Sequence, residues 1–545
     1  MPDTIPQENK MGYQPIGKLI VTMSLPMMLS MMVLALYNIV DSIWVSRVCE
    51  EALTAVSLAF PIQNLMIGVA TGTGVGINAL ISRALGAKQF DRANKIAANG
   101  MFLAFCSAAV FLLVGLFVTP LFFQRQAAPN EADPASLLVY QYGVDYLTIC
   151  ACLSLGVFGQ VTTERLMQST GKTTLSMTTQ LFGAVINMIL DPLLILGVGP
   201  FPRLETKGAA VATVIGQFCA FALALILNHR FNKEVRIHWK GFRPDPKLIG
   251  EIYKIGVPSI IMIAIGSLMN YFLNRILRAF SFTAVAVFGA YFKLQSFVFM
   301  PVFGLNNGTI PIIAYNYGAG NRKRMTHTVR LAMVLACSIM ACGMALMWLM
   351  PETMLRLFDA SDDMMAIGVP ALERISLCFI PAGFCIAMGS VFQAVGRSYY
   401  SMIVSFARQL IVLLPAAYLL SKTGAVENVW WAFPIAEIVS VIVSACSYAH
   451  VYRTLISHVG EADEQSLKKA PRGALFEFGM RNSEFCENNT AECRNLGAPL
   501  RGCGSPVATS ARSAEATTES AGENGTRQHD SRYGDNIKSA MTGEA

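Results

Sequence analysis

The chain has 545 residues, of which 54% are hydrophobic and only 14% are charged, and its formal net charge is +7 at pH 7. A soluble globular protein of this size would carry about a quarter charged residues, so the composition excludes that class. Apolar stretches of about 18 or more residues recur along the chain, each long enough to cross roughly 30 Å of hydrocarbon. We therefore expect a polytopic membrane protein, with helical spans because backbone polar groups inside lipid must bond internally.

Twelve apolar segments in chain order predict twelve membrane-spanning helices and an all-α fold class. Backbone hydrogen bonds within each segment would satisfy the polar groups that lipid cannot. The predicted spans lie near residues 15–46, 52–82, 96–122, 137–161, 172–199, 206–229, 250–280, 283–312, 326–350, 365–394, 398–420 and 428–452.

The loops on the two sides of the predicted bundle differ in their content of lysine and arginine. The segment before the first span and the loops after even-numbered spans hold most of these residues, and Arg165 and Lys172 are counted among them. Cytoplasmic loops of membrane proteins carry such an excess. We therefore expect a multi-pass membrane protein with both termini in the cytoplasm.

The domain organisation follows from the spans and from a change of composition near residue 453. We predict a cytoplasmic N-terminus (1–14), a first lobe of six helices (15–230), a cytoplasmic linker (231–249) and a second lobe of six helices (250–453). The remainder, 454–545, is rich in Ser, Thr, Asn, Glu and Gly and has few large apolar residues. Because such a segment cannot bury enough apolar surface to fold alone, we predict a disordered cytoplasmic tail.

The two halves of the membrane region repeat each other. Pro26 aligns with Pro258 at an offset of 232 residues, which also relates Leu85-Gly86-Ala87-Lys88 to Tyr317-Gly318-Ala319-Gly320. Gln168 to Lys172 align with Gln393 to Arg397 at an offset of 225. Since six is even, the halves are parallel repeats, and the substrate pathway is expected between them. Pro26 and Pro258 each remove a helical hydrogen bond and are predicted hinges.

Several of these motifs together resemble the multidrug and toxic compound extrusion (MATE) family, in particular its bacterial drug-exporting branch. The resemblance covers about residues 13–453. The motifs that carry it are Pro26 with Tyr37-Asn38-Ile39-Val40-Asp41, Ala87-Lys88, Gln168-Ser-Thr-Gly171-Lys172, Asn187-Met-Ile-Leu-Asp191-Pro192, Lys293-Leu-Gln295-Ser-Phe-Val-Phe-Met-Pro301 and Asn316-Tyr317-Gly318-Ala319. The resemblance implies a secondary antiporter of the bacterial inner membrane, not an enzyme. Such an antiporter rocks between two states and exports lipophilic cations without a cofactor.

Acidic residues inside the predicted spans indicate a coupling site, because ionisable groups in a membrane are costly. Topology places Asp41, Asn187, Asp191 and Thr213 at a similar depth in the first half, with Asn187 and Asp191 on one helix face. Their oxygens suit a small cation or a shared proton, and the resemblance implies that they form the site of the coupling ion, sodium or proton. A transported sodium ion at Asp41 and Asp191 is the only metal expected. The structural alternative is that each acid only pairs with a neighbouring helix.

Proline follows Asp191 directly, and the residue before a proline is disfavoured in helical geometry. We therefore expect helical geometry to be disfavoured at Asp191, which would free a carbonyl group as a further ligand for a cation.

The charged residues of the second half leave two interpretations open. Lys293, Glu373, Arg408 and Glu437 lie within predicted spans, either as mutual ion pairs, since unpaired charges would be too costly, or as substrate-sensing groups.

Polar, methionine and aromatic side chains near the middle of the bundle are candidates for a substrate cleft. Methionine suits an adaptable binding surface, and aromatic rings attract cations, although both also serve ordinary packing. The candidates are Met31, Tyr37, Asn38, Gln63, Asn270, Phe292, Gln295 and Phe299.

The expected partners are the lipid bilayer and small lipophilic cations, with no nucleic acid, and we expect a monomer. One alternative is a lipid-linked oligosaccharide flippase, which would need a basic central cavity for a pyrophosphate. A membrane-embedded prenyl transferase would need paired Asp-rich metal motifs, and none is present in the sequence.

Overall fold

The structure is a computed structural model that describes residues 9–127, 134–237, 241–358 and 360–460. Within these ranges the chain is helical and contains no strand. The predicted tail from 461 onward, residues 1–8 and part of the predicted linker (238–240) lie outside the described residues. Residues 454–460 are described, and the last helix runs to Ile456, slightly beyond the predicted boundary.

Twelve membrane-spanning helices, numbered α1 to α12, account for almost all of the described chain. Ten pass as single helices, and two more are bent pairs that each count as one span. The bounds are α1 Ile16–Ser46, α2 Glu50–Gly86, α3 Phe90–Gln126, α4 Pro134–Cys152 with Leu155–Ser169, α5 Thr173–Leu196, α6 Thr206–Phe231, α7 Pro246–Arg278, α8 Phe282–Gly318, α9 Arg322–Leu349, α10 Asp362–Ser376 with Phe379–Ala394, α11 Tyr399–Ser421 and α12 Val426–Ile456. The predicted all-α fold with twelve spans is confirmed.

Helices α4 and α10 are bent, by 44° and 46°. The bends fall at equivalent places in the two halves, between Cys152 and Leu155 and between Ser376 and Phe379. The fourth span was predicted to end at residue 161, and this bound was wrong, because the second arm of α4 continues to Ser169. The sequence stays apolar through both bends, so hydropathy does not reveal them.

Several helices of the second half begin at a residue whose side chain accepts a hydrogen bond from the first turn. Asp245 accepts from the backbone N–H of Lys247 and is followed by Pro246, whose missing N–H costs nothing at that position. Ser281, Asn321 and Ser361 cap α8, α9 and α10 in the same way. These caps satisfy N–H groups that the helix itself leaves unpaired, which fixes where each helix starts.

Both ends of the described chain lie at the same face of the bundle. Asn316, at the end of α8, donates from its side-chain Nδ2 to the Met11 carbonyl at 3.2 Å. Arg322, at the start of α9, donates to the Ser457 carbonyl at 2.9 Å. We call this the terminal face, and the opposite end, where α1 ends at Ser46 and α2 begins at Glu50, the distal face.

The internal repeat is visible in the backbone of the turns. Lys88 and Gly320, which align at the offset of 232, have φ angles of 57° and 72°. Gly171 and Gly396, which align at 225, have φ angles of 81° and 76°. Such angles are in the left-handed region, where a Cβ atom is strained. The repeated sequence therefore encodes a repeated turn, and Lys88 adopts it with a side chain.

The two halves pack most broadly through α2 with α7 and through α1 with α8. Gly72 and Gly76 of α2 lie so close to α7 that an added Cβ would overlap Ile260 and the Ile252 carbonyl. These glycines therefore allow the two helices to pack closely. Pro26 and Pro258 lie inside helices that continue past them, and their role as hinges stays a prediction.

The segment before α1 forms a short helix, Lys10–Tyr13, that contacts both halves. Asn9 donates to the carboxylate of Glu234 at 2.6 Å and to the Thr170 carbonyl at 3.2 Å. Met11 is fully buried. Burial raises the pKa of the Glu234 carboxyl, because the charged form loses water, and the hydrogen bond from Asn9 opposes this shift.

Candidate functional site

The four predicted ion-site residues meet near the distal ends of α1, α5 and α6. Asn187 lies between two of its partners, donating from Nδ2 to Asp191 Oδ1 at 3.2 Å and to Thr213 Oγ1 at 3.3 Å. Asp191 is fully buried, and Asp41 is 9% exposed. The Asp41 carboxyl interacts electrostatically with that of Asp191. Three helices thus bring two carboxyl groups, an amide and a hydroxyl into one buried cluster.

This cluster has unsatisfied acceptor atoms. Asp41 Oδ1, Asn187 Oδ1 and Asp191 Oδ2 are buried and have no donor among the described residues. Leaving a buried acceptor unpaired costs about 1–3 kcal/mol, so a protein rarely keeps several together without a purpose. Oxygen atoms of this kind are suitable ligands for a hard cation and acceptors for a proton.

Helix α5 continues without interruption through Pro192 to Leu196. The expectation of disturbed helical geometry at Asp191 was therefore wrong. Proline lacks the N–H that would bond to the carbonyl four residues earlier, so the carbonyl left without that bond is the one of Met188. Neighbouring helices tolerate the proline in this position.

Two of the predicted cleft residues belong to the same polar cluster. The Tyr37 phenol lies within hydrogen-bonding reach of Thr213 and interacts with Asp41. Gln63 of α2 donates to the hydroxyl of Tyr146 at 3.1 Å. The ion-site candidates are thus connected to α2 and α4. Across the described chain, no three His, Cys, Asp or Glu residues are grouped as in a resident metal centre.

A third buried acid of the first half, Glu164 on α4, was not found from the sequence. Its carboxylate accepts hydrogen bonds from Gln160 at 2.9 Å, Thr179 at 3.1 Å and Gln180 at 2.6 Å. The spacing of Gln160, Glu164 and Gln168 by four residues was the available signal, since it places three polar groups on one helix face.

Arg165 was assigned to a cytoplasmic loop, and this was wrong. It lies within α4, is buried, and donates to Gln168 at 2.8 Å and to Asn307 of α8 at 3.0 Å. Gly74 of α2 leaves space for the arginine stem, where a Cβ atom would collide. The residue therefore connects the two halves inside the bundle and does not contribute to the loop charge.

A cavity of about 720 Å³, which we call the cavity of the second half, lies between α7, α8, α10, α11 and α12 and is closed on one side by α2 of the first half. Four predicted cleft residues line it, namely Asn270, Phe292, Gln295 and Phe299. Met31 and Asn38 are outside the lining of this cavity, and the Asn38 side chain bonds to the Leu34 carbonyl of its own helix. The eight cleft candidates are therefore divided between the two halves.

The four charged residues of the second half do not form one group. Arg408 of α11 pairs with Glu437 of α12, with 3.2 Å between Nη1 and Oε2. Lys293 and Glu373 are exposed, and neither forms an ion pair with another residue that the structure describes. The Lys293 ammonium lies 5.9 Å from the Phe358 ring centroid. The interpretation as mutual ion pairs holds for one pair only.

A comparison with known families is decisive for the identity. A family model described as MatE matches residues 26–193 and 258–419, two segments that begin at the aligned prolines. The chain belongs to the MATE family. Its members are secondary transporters and not enzymes, and this MATE protein is accordingly a multi-pass membrane transporter.

Relatives of this MATE protein include transporters with different named substrates. It is 28% identical over 442 residues to a protein of Shewanella oneidensis named FAD transporter, covering 80% of this chain and 94% of the relative. It is 27% identical over 425 residues to the multidrug export protein MepA of Staphylococcus haemolyticus, covering 78% and 91%.

Solved structures share the fold of this MATE transporter. An outward-facing conformation of a multidrug resistance MATE family transporter aligns with a TM-score of 0.76 at 24% identity, covering 84% of this chain and all of the other. A MATE in the straight conformation aligns with a TM-score of 0.76 at 24% identity and the same coverage.

Proposed function

We propose that this transporter exports amphipathic, cationic compounds in exchange for an inward flow of sodium ions or protons through the cluster of Asp41, Asn187, Asp191 and Thr213. The observation that carries the proposal is the set of three buried oxygens in this cluster that have no donor among the described residues. An ion that fills the cluster would satisfy them. The similarity to MepA, which is named a multidrug export protein, supports export of drug-like compounds.

The coupling follows from electrostatics. Two carboxyl groups that interact in a low-dielectric site repel each other when both are ionised, so binding a cation or a proton relieves the repulsion. The loaded and empty clusters would then favour different packing of the two halves, which alternate access by rocking. We take the terminal face to be cytoplasmic, from its excess of lysine and arginine, in a bacterial inner membrane, and the transporter to act as a monomer.

The test is ethidium efflux from cells that lack their own pumps. The transporter should reduce ethidium accumulation. Asp41→Asn and Asp191→Asn should each abolish this effect, because the neutral asparagine can neither take up a proton nor balance the charge of a sodium ion. Glu373→Gln, at an exposed acid outside the cluster, is the matched control. Unchanged efflux in both aspartate variants at normal membrane levels would refute the coupling role.

The coupling ion is identified by separating the gradients. Proteoliposomes that contain the purified transporter should accumulate or lose ethidium under either a sodium gradient or a pH gradient. The gradient that drives transport in the wild type, and fails to drive it in Asp191→Asn, names the ion.

A second candidate function is export of an anionic compound that carries a pyrophosphate, the chemistry shared by FAD and by the lipid-linked oligosaccharides of the flippase alternative. A cavity of about 790 Å³ at the terminal face is lined by Arg83, Arg92, Lys254 and Arg397, of which Arg92 pairs with Glu251 at 2.7 Å. The named FAD transporter among the relatives supports this candidate. FAD release measured beside ethidium efflux separates the two: FAD release without ethidium efflux would replace the first proposal.

A further inference from the structure

The cavity of the second half combines an aromatic wall with one acidic group. Phe288, Phe292, Phe299, Phe303 and Phe433 line it. Glu437 lies in the same lining and is 3% exposed. A volume of about 720 Å³ falls in the range of small-molecule sites, which are mostly apolar with a few placed polar groups. The cavity therefore has the size and composition of a binding site.

Four acceptor atoms on residues that line the cavity are unsatisfied. Glu437 Oε1, Gln409 Oε1, Asn270 Oδ1 and Asn306 Oδ1 are buried and have no donor within the described part of the chain. All four residues line the cavity, from α7, α8, α11 and α12. A ligand that donates hydrogen bonds or carries positive charge would satisfy them. The one cationic side chain among the described residues that line the cavity, Arg408, is already paired with Glu437.

The ion pair at this cavity is incomplete. Arg408 contacts Glu437 through one nitrogen and one oxygen, at 3.2 Å, so the second carboxylate oxygen stays available. The Arg408 side chain is 29% exposed and that of Glu437 is 4% exposed. Arg408 lies in a π-helical segment of α11, Ala407–Leu413, and such wide turns occur frequently at functional sites. Arg408 thus holds the carboxylate in place and leaves Oε1 for another partner.

We propose that this cavity binds a planar aromatic cation, whose charge contacts Glu437 Oε1 and whose rings stack against the phenylalanine wall. The inference rests on the proposed function, in which the exported compound is a cation. It deepens that function by assigning the organic cation to the second half, while the coupling ion occupies the first half. Aromatic faces attract organic cations in desolvated sites, and a carboxylate adds a charge-assisted contact.

Direct ligand binding tests this assignment without transport. Ethidium is titrated into the purified full-length protein in detergent, and binding is followed by fluorescence polarisation. Glu437→Gln keeps the shape of the side chain but removes its charge, and it should weaken ethidium binding at least tenfold. Glu373→Gln, the exposed acid outside the cavity, should bind ethidium as the wild type does. Ethidium affinity in folded Glu437→Gln equal to that of the wild type would overturn the proposal.

Glu437→Gln leaves Arg408 without its partner and could unfold the protein for that reason alone. A second variant separates this effect from loss of the charge contact. Combining Arg408→Met with Glu437→Gln removes both charges, and this double variant should also lose ethidium affinity at least tenfold. Nile red, a neutral aromatic dye, is the charge control and should bind the double variant as it binds the wild type. An equal loss of affinity for both dyes would show a general collapse of the cavity and contradict a charge contact at Glu437.

The two proposals fail in different ways. A wild-type protein that binds ethidium through Glu437 but exports none refutes the efflux function and leaves the cavity assignment intact. A wild-type protein that exports ethidium, with unchanged binding in Glu437→Gln, refutes the cavity assignment and leaves efflux intact.

Discussion

The two halves of the bundle repeat the same helix packing, but their buried acidic residues have different partners. In the first half, Asp41 and Asp191 lie together without a cationic side chain in the cluster, and three of its oxygens are unsatisfied. In the second half, Glu437 already has Arg408 as its partner at 3.2 Å. Two buried carboxyl groups without a cationic side chain require an ion from solution to balance their charge. A buried carboxylate that has an arginine partner does not. The repeated packing of the two halves is therefore compatible with different buried polar groups in each half.

The largest effect is expected from breaking the ion pair of the second half. Arg408→Met leaves Glu437 buried and uncompensated, which costs about 3–5 kcal/mol, and the thermal midpoint of the detergent-purified protein should fall sharply. Adding Glu437→Gln should recover most of the loss. If Arg408→Met had the same thermal midpoint as the wild type, the ion pair would not stabilise the second half, and the contrast with the unpaired acids of the first half would fail.

The symmetry of the frame is tested at two aligned glycines. Gly86 lies against the Tyr315 carbonyl of the other half, and Gly318 lies against the Arg83 carbonyl, so an added methyl group would overlap backbone in both. Gly86→Ala and Gly318→Ala should each destabilise the protein by about 1–3 kcal/mol through overpacking. The readout is the temperature at which each variant aggregates on size-exclusion chromatography. Clearly unequal losses would contradict a symmetric frame.

In the first half, replacing an acid should raise the stability of the protein, whereas Arg408→Met lowers it. Asp191→Asn takes away a buried charge, and its new amide can donate to the unsatisfied Asp41 Oδ1 or Asn187 Oδ1. We expect the variant to be more stable by about 1 kcal/mol, while transport is lost. Scanning calorimetry at low sodium concentration checks this. A lower midpoint would mean that Asp191 has a structural partner.

The smallest effect is expected at the repeated turn. Lys88 has a φ of 57°, in the region where its counterpart is Gly320 at 72°. Lys88→Gly should stabilise by a few tenths of a kcal/mol up to about 1, because the left-handed strain is removed. Gly320→Ala should destabilise by about 1 kcal/mol, since its Cβ would meet the same strain. Thermal midpoints that shift in the same direction would show that the two turns are not equivalent.

The sequence was informative where a chemical pattern repeated along a helix or at a fixed depth. Asn187 and Asp191 are four residues apart, and topology places Asp41 and Thr213 at the same depth, so their assembly could be predicted. The bend of α4 could not, because the residues around it are uniformly apolar, and Arg165 was consequently assigned to a loop. The sequence could not decide whether Glu373 or Glu437 pairs with Arg408, because the answer depends on how α11 and α12 face each other in the tertiary structure.

We propose that the organic cation and the coupling ion occupy different halves and are exchanged for each other. Exchange requires that binding of the organic cation releases the coupling ion. Its most direct test is ion release from the purified transporter, as protons with a pH indicator or as radioactive sodium, on addition of ethidium at a concentration that saturates each variant. The account predicts release from the wild type and none from the double variant Asp41→Asn with Asp191→Asn. Undiminished ion release from that double variant would contradict it.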